Sequence, residues 1–211
     1  MTTHTQTQPK PISPRLLTAV YYLSFIALGL SVAAEGPSLP MLARHTSSQL
    51  DAISLIFVLG SLGYMIGSLL GGRAYDKFPG HRLMGVSLLI IAAALVVVPL
   101  ASSLWILLLK LFIEGLSKGN LDVGCNTLLQ WVHGDKVGPF MNGLHFTFGI
   151  GTFLAPLLLA QIISITQDIY WVFWTISLVT LPLAVWFWFL SEPVHIHIHE
   201  ETDEPIPFLP V

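Results

Sequence analysis

The chain has 211 residues, 54% of them hydrophobic and 10% charged, with a net charge of −3 and one cysteine. Its mean hydropathy is +0.74. Soluble domains carry roughly 25% charged residues, so composition excludes a soluble globular class, and the lone Cys125 excludes an internal disulfide.

Residues 1–15 are polar, bear Thr and Pro, and are expected to form a disordered cytoplasmic N-terminus. The first apolar stretch, 16–36, follows Lys10 and Arg15 and carries Ser31-Val-Ala33 near its end, as a signal peptide would. Its apolar run is too long for that, and Gly29 with Glu35-Gly-Pro37 suits a helix that is retained. Five more stretches follow at 51–72, 83–101, 104–129, 142–165 and 170–190. Each is long enough to cross a bilayer as a helix, the form that satisfies its backbone internally. The expected fold is an all-α membrane protein with six transmembrane helices. Residues 191–211 form an acidic tail with Pro193, Pro205, Pro207 and Pro210, in which His195, His197 and His199 alternate. Imidazoles on such a tail are expected to be solvated, and no metal site or cofactor is anticipated.

Basic residues set the orientation. With the N-terminus inside, the cytoplasmic segments hold Lys10, Arg15, Arg73, Lys77, Arg82 and Lys136, and the far side holds Arg44. That bias places both termini in the cytoplasm of a cell (inner or plasma) membrane protein. Tyr21, Tyr22, Trp105, Trp131, Tyr170, Trp171, Trp174 and Trp186 lie near span ends, as interfacial anchors do.

The fourth span carries Lys110, Glu114, Lys118 and Asp122 at steps of four. Four residues turn a helix about 40° past a full circle, so Glu114, Lys118 and Asp122 share one face, and Glu114–Lys118 and Lys118–Asp122 can pair along it. An isolated charge at mid-bilayer costs at least ~2.5–3.5 kcal/mol. These residues must therefore face protein or water. Two readings stay open: a structural ion-pair ladder, or a polar wall along a substrate and ion path. Lys110, nearest the outer end, is expected to snorkel to the interface. Glu35, before Gly36-Pro37, is either a proton or cation site or an interfacial acid. Glycines at 60, 63, 67, 71 and 72, Gly115-x-x-x-Gly119 and Gly149-x-Gly151 mark close helix approach.

The loop after the second span reads Gly72-Arg-Ala-Tyr-Asp76-Lys77-Phe-Pro79-Gly80-His-Arg82. It resembles the helix two–three signature of the major facilitator superfamily, with Lys77 standing for the usual Arg and Pro79 adding one residue. Gly72, Asp76, Lys77, Gly80 and Arg82 would form a conformational switch, Asp76 latching basic partners in one state. Gly119-Asn-Leu-Asp122-Val-Gly-Cys-Asn126, Leu144-His145-Phe-Thr-Phe-Gly149-Ile-Gly151-Thr-Phe-Leu-Ala-Pro156 and Gly36-Pro37 resemble the fucose-permease-like and animal sodium-dependent glucose transporter branch. The resemblance covers 16–190 and implies the N-terminal six-helix half of that fold, with 191–211 as tail or inter-half linker. In that branch an acid and an amide on helix four line the cavity, which points to Asp122 and Asn126. Glu35, Glu114 and Lys118 have no counterpart in the pattern and rest on helix geometry alone. His145 would lie at the cavity mouth or pack between helices four and five.

The expected function is alternating-access transport of a small polar solute, a sugar foremost, coupled to a proton or sodium. The expected partners are the bilayer and a second six-helix half: a missing C-terminal half, a separate chain or a second copy. The alternative is a non-transporting half that acts only with a partner subunit. Rhomboid-type proteolysis needs a Gly-x-Ser-Gly-like nucleophile and a facing His, and no such serine motif occurs. Neither an enzyme nor a nucleic-acid binder is expected.

Overall fold

The computed structural model describes residues 12–193, and every regular element among them is helical. The calls on the His-bearing tail beyond Pro193 and on residues 1–11 lie outside the described residues. The first span starts where Ser13 accepts the Leu16 N–H (3.3 Å) and Pro14 takes the first turn, where a missing donor costs nothing. Helix α1 (Pro14–Ala33) breaks at Ala34, and α2 (Glu35–His45) continues the same crossing. Pro37 and Pro40 carry no N–H, so α2 enters and bends without all of its backbone bonds. A single turn, α3 (Leu50–Ile53), leads into α4 (Leu55–Tyr75), and Pro79 precedes α5 (Gly80–Val97).

Ser103 caps α6 (Leu104–His133), whose 30 residues reach ~45 Å and so cross the whole bilayer with its headgroup layers. Gly134, at φ 53°, ends it in a conformation that other residues resist. A short 3-10 turn leads into α7 (Val137–Thr166), equally long, and α8 (Tyr170–Phe187) follows. By length and composition, five helical stretches among the described residues could cross a membrane. One of them, Leu104–Thr166, contains both α6 and α7.

Contact positions show that these two run in opposite directions. A methyl at Gly63 would strike the Phe112 carbonyl and one at Gly67 the Leu116 carbonyl, so α4 and α6 are parallel. Gly143 packs on Tyr22 and Gly29 on Phe148, so α1 and α7 are parallel. Thr18 meets His133 while Lys118 meets the Ser31 carbonyl, so α1 and α6 are antiparallel. Helix α5 opposes α6, with Ser87 on Asn120 (2.7 Å) and Gly80 on Leu128. It also opposes α8, where the Ser177 hydroxyl donates to the Ala92 carbonyl at 2.8 Å while Gly85 meets Phe187. The chain therefore alternates through six crossings.

The parallel pairs touch backbone to backbone, as bilayer helices do when small residues let them. Gly63 and Gly67 of α4 interlock with Gly115 and Gly119 of α6, and Gly29 of α1 with Gly151 of α7. Of the glycines flagged in the sequence, Gly60, Gly72 and Gly149 have open space where a side chain would go. Gly67→Leu or Gly119→Leu should lower unfolding stability by roughly 1–3 kcal/mol through overpacking. Gly149→Ala should leave it level or raise it, as thermal unfolding of the detergent-purified protein would read.

Candidate substrate and ion pathway

The step-of-four pattern on α6 brings Lys110, Glu114 and Lys118 onto the face packed against the α1–α2 break. Glu114 is 1% exposed, Lys118 5% and Lys110 8%. Glu114 bridges both lysines: one carboxylate oxygen takes the Lys110 ammonium and the other lies 2.9 Å from the Lys118 Nζ. Lys118 Nζ also donates to Glu35 Oε1 at 2.6 Å and reaches the Ser31 carbonyl at 3.4 Å. Two cations and two carboxylates thus form one chain, Lys110–Glu114–Lys118–Glu35, that ties α6 to the first residue of α2. Partners this close are what allow charges to stay ionised away from water.

Two expectations change. Lys110 does not snorkel to the interface; it is buried and held by Glu114, because a carboxylate one turn away is nearer than the headgroups. Lys118 does not pair with Asp122, because Glu35 approaches from the neighbouring element and completes its shell. Asp122 makes no ion pair among the described residues; its carboxylate accepts from Asn126 Nδ2 (3.2 Å), and the Tyr64 phenol of α4 lies against it. Asp122 and Asn126 are both half-buried.

A cavity of about 420 Å³ opens beside the ion-pair chain. Its lining includes Glu35, Lys118, Ser61, Tyr64 and Phe148, drawn from α2, α6, α4 and α7, with Val32 of α1; α5 and α8 contribute no residue. Polar groups thus sit on the wall formed by one side of the bundle.

His145 stands apart from this cluster. It is exposed on α7 and meets Phe25 of α1 edge-on, ring centroids 6.0 Å apart. In the 72–82 loop, Gly80 is buried on Leu128 of α6, while Gly72, Asp76, Lys77 and Arg82 are exposed and make no ion pair among the described residues.

Sequence reasoning missed Tyr64, His81 and the Ser31 carbonyl. Tyr64 lies one turn from Gly60 and Ser68 on α4, a polar spacing that could have flagged it. Buried His81 takes a hydrogen bond with the Tyr21 hydroxyl (2.7 Å), and its backbone N–H donates to Glu192 at 3.1 Å. Nothing local in the sequence signals that burial, which arises from α1 and the end of α8 closing over the start of α5.

The family model described as Major Facilitator Superfamily matches residues 21–211. Sodium-dependent glucose transporter 1 of Homo sapiens is 42% identical over 135 residues, 64% of this chain and 26% of that protein. The Rattus norvegicus protein of the same name is 40% identical over 141 residues, 67% of this chain and 29% of that protein. Major facilitator superfamily domain-containing protein 4B of Danio rerio is 32% identical over 149 residues, 70% of this chain and 28% of that protein. The match spans under a third of the length of each of these relatives.

Burial and pairing separate the carboxylates of α6. Glu114→Gln strands the buried Lys110 ammonium, leaves Lys118 with Glu35 alone, and should cost roughly 3–5 kcal/mol. Asp122→Asn removes no ion pair and should stay within about 1 kcal/mol of the parent, both read by thermal or denaturant unfolding in detergent.

Proposed function

The chain belongs to the major facilitator superfamily, and on that premise we propose that it is one six-helix half of an alternating-access transporter for a small polar solute, a sugar foremost. The observation that carries this reading is the cavity between α1, α2, α4, α6 and α7, a largely apolar space into which the Glu35–Lys118 ion pair is set. Ionisable residues in a bilayer face a bundle interior or a water-filled path, and there they mark function. The names of the glucose-transporting relatives support a sugar and sodium coupling.

Asp122 suits hydroxyl recognition, since a carboxylate accepts from two hydroxyls at once and Asn126 and Tyr64 hold it in place. Coupling to a proton or sodium would run through Glu35, Glu114 or Asp122. His145, exposed beside Phe25, is suited to contact with solute or with a second half. Asp76 at the end of α4 and Arg82 near the start of α5 would latch the partner half in one state, with the buried Gly80 anchoring the loop. The excess of Lys and Arg on one side supports cytoplasmic termini.

The family packs two six-helix halves about an axis along the membrane normal, with solute between them. The short reach of the match along its relatives favours a second reading, a half that moves nothing without a partner subunit. Reconstitution of the purified chain into proteoliposomes tests both. Sodium-driven uptake of labelled sugar, lowered about 10-fold or more by Asp122→Asn as a charged hydrogen bond is lost, supports transport by paired copies, as would a detergent-corrected mass near twice 23.2 kDa. A monomer without uptake supports the second reading, and uptake that Asp122→Asn leaves unchanged overturns the assignment of Asp122.

A further inference from the structure

The Lys118 ammonium sits inside a cage of oxygens. Glu35 Oε1 lies at 2.6 Å, Glu114 Oε1 at 2.9 Å and the Ser31 carbonyl at 3.4 Å, and the cavity lined by Ser61 and Tyr64 opens beside them. Hard monovalent cations are held by such sets: carboxylates, a backbone carbonyl at the end of a broken helix, hydroxyls and water. In this state the tethered ammonium fills the position.

The charge count says what is missing. Lys110, Glu114, Lys118 and Glu35 sum to zero, while Asp122 pairs with no cation among the described residues. The five residues Lys110, Glu114, Lys118, Glu35 and Asp122 therefore carry one net negative charge, which one monovalent cation would balance. Where that cation goes follows from reach. The cage lies beside the cavity, and Lys118 and Asp122 are one helical turn apart on a shared face. An ammonium expelled from the cage has one free carboxylate within its arc.

We propose that the Ser31 carbonyl, Glu35 and Glu114 form an alkali-cation site that Lys118 occupies in the empty state. On binding, the cation takes the place of the ammonium and Lys118 turns to Asp122. This deepens, and rests on, the reading of the chain as an ion-coupled transporter half, because it carries the ion's charge from the cage to the carboxylate offered to the solute. Each end state then has every buried cation paired, and the cation-bound state alone has every carboxylate paired. Coupling comes from the step between them, and Lys118 is a positioning residue in it.

The test is thermal unfolding of the full purified chain in detergent, with sodium chloride exchanged for choline chloride at constant ionic strength. The expected result is a saturable sodium-specific rise in Tm that choline and acidification alone do not reproduce. Glu35→Gln should abolish it. Asp122→Asn should raise the half-saturating sodium concentration about 10-fold, the scale of a single coupling interaction, because the displaced ammonium loses its acceptor. Lys118→Gln should lower that concentration, and in its background Asp122→Asn should change it by less than about threefold, the signature of two residues acting as one unit.

No sodium response in the parent and in Lys118→Gln would overturn the site, as would an undiminished response in Glu35→Gln or independent effects of the Lys118 and Asp122 changes. Should Lys118→Gln fail to fold, the Glu35→Gln and Asp122→Asn results decide alone. The readout needs no sugar. Sodium response without sugar uptake counts against transport and leaves the cation site standing; sugar uptake without sodium response does the reverse.

Discussion

The constraint on which the structure turns is that a lysine in the middle of a bilayer must find carboxylates. Lys118 is buried in the middle of a 30-residue helix, too far from either end to snorkel to the interface. Glu114 supplies one partner from the same helix and Glu35 the other from the break in the first span. That pairing fixes where the break must fall. If α1 ran straight through Ala34, the backbone carbonyl of Ser31 would stay within its own helix and Glu35 would swing to another face. The two prolines of α2 and the charge on α6 are therefore one arrangement.

The remainder of the bundle is arranged around that arrangement by much weaker forces. Lipid gives no hydrophobic drive between helices, so packing rests on close approach and on hydrogen bonds. Helices α4 and α6, and α1 and α7, touch through glycines, which brings the backbones of each parallel pair into direct contact. By contrast α5 and α8 pack mainly through large buried side chains such as Leu88, Ile91, Phe173 and Phe187, with Ser87 on Asn120 linking α5 to α6 and Ser177 on the Ala92 carbonyl linking α8 to α5, and neither lines the cavity. The charges at the cavity come from α2 and α6, while α4 and α7 line it with uncharged residues.

The all-α fold with six crossings was legible because apolar length alone forces helices in a bilayer. The polar stripe on α6 was legible for a related reason: steps of four in one span put residues on one face whatever surrounds them. Its partners were not. The Glu35–Lys118 bond joins residues 83 apart in sequence, and helix periodicity says nothing about which neighbouring helix turns toward which face. The same limit hid the pairing of Lys110 and the contact of His145 with Phe25. Local spacing offered Lys118 two carboxylates on its own helix; only the tertiary arrangement, which brings Glu35 in, decides that Asp122 is the one left over. His81 shows the limit most plainly, since it follows a charged loop at the start of α5 and yet is enclosed by Tyr21 and by the chain beyond α8.

The residue left over, Asp122, is what the proposed cation site turns on. A structural ladder would alternate cation and anion and end with every charge matched. Here the order Lys110, Glu114, Lys118, Asp122 would match perfectly within α6, two pairs along one helix, and Glu35 would be the surplus acid. Instead Lys118 takes Glu35 and leaves Asp122 facing Tyr64 and Asn126. Both pairings satisfy the same number of charges, differ by one helical turn of a flexible side chain, and move the unpaired carboxylate from the outer end of the wall toward its inner part. Two such arrangements, exchanged by where an external cation sits, are what the proposed cation site requires.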